Sequence, residues 1–466
     1  MEHLPNDILL LIFQECADAT DNSLAPDSAP WSLASTCSAW RAIVLNSPLL
    51  WTTLRVPLDD YGAYDRTLTR AEWLQKMHSL PLKIAARTRR FLELSKNCLL
   101  DIEIEDSNPN KAYYGLARII GAESARWRTF VGCTYNSLLG PLRHIPHLTR
   151  LELRVFEELW NVDPPALPWS CVAPKLKSAA FIAMENQSIG AFNAVQCGLP
   201  LEQLTSFKAS IGPVPQLIHR LLQVTELDVK IGHDFEPIDQ EEPAIRQRPE
   251  VYNFPNLVSL TLDLTDDTRS SMMPHVEPII SRIHAPSLTS LNIYTRSLGT
   301  IFNPTRIKCT PERLVKFSLA FSDEWKPDTQ ALLIDFLKTS PNLEVLGLQA
   351  VEFLDYIFED TQDYVAQTIT ALKNSSHAIL PKLSTLQVDA DTLDAHMSNV
   401  LEFVLQRSEH GGMFKELAIL VQDYHGLDSL HPDAGALLES LEEGYHRLEA
   451  ERTVDGTSVV FTVIYG

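Results

Sequence analysis

NLVSLTL at residues 256–262 and SLTSLNI at residues 287–293 decide how this chain reads. Each is an apolar-x-x-apolar-x-apolar string: Leu257, Leu260 and Leu262, then Leu288, Leu291 and Ile293. The last two apolar residues of each string share one face of an extended strand, because side chains alternate with period two. A single short strand cannot bury that face, so the string implies a stack of strands.

The string recurs outward in both directions. HLTRLEL ends at Leu153, KLKSAAF at Phe181, QLTSFKA at Ala209 and QVTELDV at Val229. RLVKFSL ends at Leu319, NLEVLGL at Leu348, KLSTLQV at Val388 and MFKELAI at Ile419. Weaker copies start at Leu99 and Trp127. The spacing is near thirty residues, which marks a leucine-rich repeat. The returns read as helices in places: Ala331 to Leu337, capped by Asp328 and stopped at Ser340-Pro341; Thr392 to Arg407; and Pro432 to Arg452. Val459 to Tyr465 reads as a closing strand, and Gly232 to Asn253 as an exposed loop. Thr67 to Leu80 looks helical, and Pro81 to Ala86 reads as the start of a first strand. The Asn common after such strands is replaced by Phe156, Met184, Thr265, Arg296, Ser322 and Val351, so an irregular array is expected. The alternative is a mixed α/β domain with a chance leucine pattern.

Upstream stands a different pattern, LPNDILLLIF from Leu4 to Phe13 and SLASTCSAWRAIVLNSPLLW from Ser32 to Trp51. Ile8, Ile12 and Cys16 recur at helical spacing beside Leu9 and Phe13, with Asp7 near the positive end of the helix dipole. Leu33, Cys37, Trp40, Ile43 and Val44 imply one or two further short helices, broken at Asn46-Ser47-Pro48. Helical periodicity before Trp51 and strand-and-turn periodicity after Leu99 imply two modules that need little coupling. Ordinary amphipathic helices facing a core are the plainer alternative.

Leu4, Pro5, Asp7, Ile8, Ile12 and Phe13, then Leu33, Cys37, Trp40 and Arg41, then Pro48, Leu50 and Trp51 resemble the F-box. The polar stretch from Asp18 to Pro30 is longer than the loop usual there. With Trp73, the PL-x-I string at Pro81, ARWRTF at Ala125 to Phe130 and the repeats, the order is similar to that of fungal-type F-box proteins. The resemblance implies an α/β chain in which a helical F-box precedes an irregular leucine-rich-repeat solenoid with a parallel sheet. The expected divisions are an F-box at 1–56, a helical linker at 57–96 and the array at 97–466. It further implies the substrate-receptor subunit of a Skp–cullin–F-box ubiquitin ligase, non-catalytic and without cofactors. The Skp-type adaptor would be held by Leu4, Pro5, Ile8, Leu9, Ile12, Phe13, Leu33, Cys37, Trp40, Pro48 and Trp51, and an unknown target protein by the array. The alternative is a leucine-rich-repeat interaction scaffold without a ligase role.

Composition narrows the partners. The 466 residues carry 39 Lys and Arg against 60 Asp and Glu, a net charge of −21. That opposes general nucleic-acid binding and adsorption to an anionic membrane. Residues 351–466 hold 20 acidic and 6 basic residues, net −14. This excess reads as a solvated surface, or more sharply as a docking face for a basic partner. Cys16, Cys37, Cys98, Cys133, Cys171, Cys197 and Cys309 show no metal spacing and read as reduced thiols of an intracellular protein. No signal segment or membrane span is seen, so a cytoplasmic or nuclear location is expected.

No phosphate loop, dinucleotide fingerprint or nucleophile elbow occurs. His144 and His147 flank Pro146, and His3, His275, His284, His425 and His431 lack metal spacing with carboxylates. Asp59-Asp60, Glu241-Glu242 and Glu442-Glu443 read as solvated pairs. Arg87, Arg89 and Arg90 form the one compact basic cluster, either plain surface or a site for an acidic or phosphorylated ligand.

Overall fold

The structure is a computed structural model. It describes residues 4–19, 23–57, 70–105, 114–133, 144–155, 172–183, 199–210, 220–230, 251–264, 281–295, 307–321, 327–350, 359–374, 379–409, 414–421 and 459–465. The chain divides into two compact units, Met1–Leu221 and Leu222–Gly466. Both are mixed α/β with parallel sheets.

The first unit opens with α1 (Asn6–Asp18), α2 (Trp31–Thr36) and α3 (Ser38–Asn46). Pro5 stands just ahead of α1 with extended ψ, not inside its first turn. A 3-10 turn (Pro48–Trp51) leads into β1 (Thr53–Pro57). Helix α4 (Arg70–Leu94) follows, then β2 (Leu100–Glu105), α5 (Tyr114–Gly121) and β3 (Trp127–Cys133). Strands β4 (Arg150–Val155), β5 (Ser178–Ala183) and β6 (Ser206–Ser210) complete the unit. The six strands pair in parallel in chain order. Their register lines up Leu54, Ile102, Phe130, Leu151, Ala179 and Phe207 on one buried face.

Two expectations shift here. The stretch Pro81 to Ala86 lies within α4 and starts no strand. Ile84, Thr88, Phe91 and Ser95 recur on its buried side, and that spacing outweighs the break a proline invites. In the first upstream repeat Ile102 and Ile104 are buried as the string expects, but Leu100 and not the half-buried Leu99 fills its first apolar place, pairing with Trp127 ahead of a register shift.

The second unit contains β7 (Glu226–Lys230), β8 (Tyr252–Asn253), β9 (Ser259–Leu264), β10 (Ile283–Ala285), β11 (Ser290–Thr295), β12 (Lys308–Cys309) and β13 (Lys316–Phe321). Then come α6 (Pro327–Lys338), β14 (Val345–Ala350), α7 (Glu359–Asn374), β15 (Thr385–Asp389), α8 (Ala390–Glu409), β16 (Glu416–Val421) and β17 (Val460–Tyr465). Strands β7, β9, β11 and β13 to β17 pair in parallel in chain order. Every repeat string therefore supplies a strand, and the closing strand pairs with β16. The short β8, β10 and β12 form a second parallel ladder, so Tyr252 and Asn253 are strand and not loop.

One turn recurs. The N–H of Leu148, Leu176, Leu257, Leu288, Leu343 and Leu383 donates to the carbonyl three residues back, at 3.1–3.3 Å. Pro146, Pro174, Pro255, Pro286, Pro341 and Pro381 occupy the second turn position, which their fixed φ suits. These leucines are buried, each contributing about 1.5–3 kcal/mol on leaving water. Helix α6 begins at Pro327, which places Asp328 within its first turn. Phe336 meets Phe317 of β13 edge-on at 5.2 Å. Helix α8 is kinked at His396. Its Arg407 donates to the carbonyls of Ile379 and Leu380 at 2.7 and 3.2 Å, holding Leu380 at a φ of 56°. The expected helix at Pro432 to Arg452, the loop before Val251, and the six positions replacing the usual Asn lie outside the described residues.

Candidate functional site

Helix α1 sorts its apolar side chains onto two faces. Leu9 and Phe13 point inward, and the Phe13 ring meets Trp40 of α3 with centroids 4.8 Å apart. Leu4, Ile8, Leu11 and Ile12 are 41–58% exposed. Ile8, Leu11 and Ile12, at i, i+3 and i+4, lie along one stripe of α1, and Leu4 stands just ahead of the helix. Leu49 is 57% exposed on the 3-10 turn that packs against α1.

The stripe has a firm base. Cys37 is extended between α2 and α3, and its sulfur accepts the Trp40 N–H at 3.5 Å. Arg41 ties the two helices through the Ala34 carbonyl at 2.9 Å. Pro48 starts the 3-10 turn, which drives Leu50 and Trp51 into the core. The Trp51 indole donates to the Val44 carbonyl at 3.0 Å. Its ring meets Trp31 edge-on at 4.7 Å and Phe91 of α4 edge-on at 5.4 Å.

The segment continues directly into the first sheet. Ser23 donates its N–H to the Arg55 carbonyl at 2.9 Å. The Ser23 hydroxyl donates to the Thr53 carbonyl and accepts the Arg55 N–H, both at 3.0 Å. Arg55 reaches the Asp18 carbonyl at 2.7 Å, and Arg87 of α4 reaches the Leu24 carbonyl at 2.9 Å. The helices and the first strands thus share one core, contrary to the expectation of loosely coupled modules.

Residues 1–56 match the F-box-like family. The match ends inside β1, so the F-box-like segment includes the start of the first sheet. A search of curated protein sequences returns no match. Among solved structures, one similar chain is a crystal structure of a Bacteroides fragilis protein, at 14% identity and a TM-score of 0.31. The similarity covers 62% of this chain and 66% of that one, just under two-thirds of its length.

The eleven residues singled out from the sequence fall into three groups in the F-box-like segment. Leu4, Pro5, Ile8, Ile12 and Cys37 are exposed; Leu33, Trp40 and Pro48 are half-buried; Leu9, Phe13 and Trp51 are buried. Of the last three, Phe13 packs against Trp40 and Trp51 against Trp31 and Phe91, while Leu9 is buried on the same helix as Phe13. Leu11 and Leu49 join the exposed set though the sequence reading passed over them. Leu11 was legible as the residue three after Ile8; Leu49 differs from its neighbour Leu50 only in direction.

Other candidate chemistry stays dispersed. A cleft of about 340 Å³ is lined by Glu15, Asp18, Ser23, Thr53 and Arg128, among others. Arg128 is engaged by Asp101 at 2.9 Å, and that hydrogen bond raises the guanidinium pKa. His147 lies 3.4 Å from Lys175, and His284 lies 3.0 Å from the Asn253 side-chain oxygen. Among the described residues no group of three His, Cys, Asp or Glu side chains could hold a metal ion. Among them, too, no helix is long and apolar enough to cross a membrane. His3, His275, His425, His431 and the three carboxylate pairs lie outside the described residues.

Proposed function

We propose that this chain is a non-catalytic receptor subunit of a Skp–cullin–F-box type ubiquitin ligase. The F-box-like segment binds the Skp-type adaptor, residues 57–96 connect, and the array over 97–466 holds a target protein. The exposed stripe Ile8, Leu11 and Ile12, with exposed Leu4 just ahead of it, within a segment matching the F-box-like family carries this reading. A contiguous apolar patch left in water on a folded surface marks a protein–protein contact. Pro5 and Leu49 extend the contact. Leu9, Phe13, Leu33, Cys37, Trp40, Pro48 and Trp51 act as its supports. Ubiquitin transfer belongs to other subunits; a tethered target gains effective concentration near the transfer enzyme.

The test is capture of a Skp-type adaptor by the full-length chain. Ile8→Asp with Ile12→Asp should abolish capture while the melting curve stays unchanged, because both side chains already face water. Failure of the folded wild-type chain to retain the adaptor would overturn the proposal and leave an interaction scaffold.

A further inference from the structure

The basic cluster of α4 lies outside the F-box-like segment, and its geometry suggests a second docking surface. Ile84, Thr88, Phe91, Leu92 and Ser95 turn inward. The opposite arc is exposed and carries Lys83, Arg87 and Arg90 at i, i+4 and i+7, with Arg89 beside them and Lys96 just past the helix end. Arg118 of α5, the neighbouring helix, is also exposed. Against these six cations the arc presents one carboxylate, Glu93, which pairs with Arg90 at 3.0 Å. Glu123, beyond α5, is taken by Arg126 at 2.9 Å. The side chains of Lys83, Arg89 and Lys96 make no hydrogen bond or ion pair among the described residues. Within the arc Leu82 is 73% exposed and Ala86 is exposed beside it.

We infer that this arc of α4, from Leu82 to Lys96, docks an acidic polypeptide segment of a partner protein. The charge is local and opposite to that of the whole chain, which is −21. An extended polyanion such as a nucleic acid or a lipid surface reaches beyond the screening length of about 10 Å at 0.1 M salt and meets the repelling remainder. A short acidic segment feels mainly the patch. From Lys83 to Lys96 the helix rises about 20 Å, the length of roughly six extended residues. Leu82 offers such a segment an apolar contact that a phosphate backbone cannot use.

The probe is fluorescein-labelled deca-glutamate, titrated into the full-length chain at low salt. Saturable binding that falls at least tenfold in Lys83→Glu/Arg89→Glu/Lys96→Glu, and less in the matching Gln variant, supports the inference. The Gln variant guards against misfolding, since it removes charge without adding repulsion. Binding that is absent, or unchanged in both variants, overturns it. Equal affinity for phosphatidylserine vesicles or a thymidine oligonucleotide through the same side chains also overturns it, by showing an unselective anion surface. A wild-type dimer that the triple variant dissociates would give the arc to a second copy, again overturning it.

Discussion

Asp389 Oδ2 accepts the amide N–H of Ala350 at 2.7 Å, so the last residue of β15 fixes the last residue of β14. Oδ1 accepts the Thr392 N–H at 2.7 Å, and Oδ2 also accepts the Thr392 hydroxyl at 2.8 Å. One buried carboxylate therefore joins two strands and caps α8. Asp389→Ala should cost about 2–4 kcal/mol, because it strands two backbone donors away from water. Asp389→Asn should lose less, since one oxygen remains. Denaturant melts compare them, and equal losses would deny the double role.

Leu260, Leu291 and Leu346 are fully buried in register, while Ser259, Ser290 and Val345 are half-buried on the other strand face. Each Leu→Ala change should destabilise by about 2–5 kcal/mol. Alanine at the three neighbours should cost clearly less. A melt series with equal sensitivity at both sets would contradict the observed facing.

Gly347 lies opposite Ser318 across β13 and β14. A Cβ at 347 would stand 2.6 Å from the Ser318 hydroxyl oxygen and 3.0 Å from its Cβ. Gly347→Ala should therefore destabilise by roughly 1–3 kcal/mol through overpacking. Adding Ser318→Gly should recover part of that loss. A double-mutant cycle with no coupling between the two positions would show that the strain is relieved elsewhere.

Trp51 is shared between the F-box-like segment and α4. Trp51→Ala should cost about 3–5 kcal/mol, and Trp51→Phe about 1 kcal/mol for the bond to Val44. A chain cut after residue 56 loses both Phe91 and the β2 partner of β1. It should melt without cooperativity, whereas a chain ending at Leu221 should melt cooperatively. Circular dichroism on the two lengths checks this.

Cys309 and the exposed Cys16 and Cys37 should react differently. Burial pushes the Cys309 thiol up, and Glu312 adds to the shift, so less thiolate forms near pH 8. Iodoacetamide should label Cys16 and Cys37 first, with Cys309 catching up as pH rises. Peptide mapping by mass spectrometry would expose the error if Cys309 led.

The repeat strands were legible because period-two alternation survives in each string, as at Leu260 and Leu262. Strands β8, β10 and β12 were not, since two or three residues carry no period. Their common signal is a proline shortly after the strand, as in YNFPNL and RIHAPSL. Helix α4 is hard to read as one helix because Pro81 punctuates the string, while the helical spacing of Ile84, Thr88 and Phe91 carries the helix through it. At the site, the sequence marks Ile8, Leu9, Ile12 and Phe13 of α1 but does not say which way each faces. Leu9 and Ile8 are equally apolar, and only packing against Trp40 and α3 separates support from surface.

A terminal strand of a parallel sheet exposes a row of donors and acceptors that any passing extended chain can use. Ser23 occupies that row along β1, satisfying Thr53 and Arg55 from a loop of the F-box-like segment. Removing the segment would thus do more than delete a docking face. It would take most of β1 with it and leave the edge of β2 as a bare template for fibre-like association, so loss of residues 1–56 should show itself as aggregation before it shows itself as lost recognition.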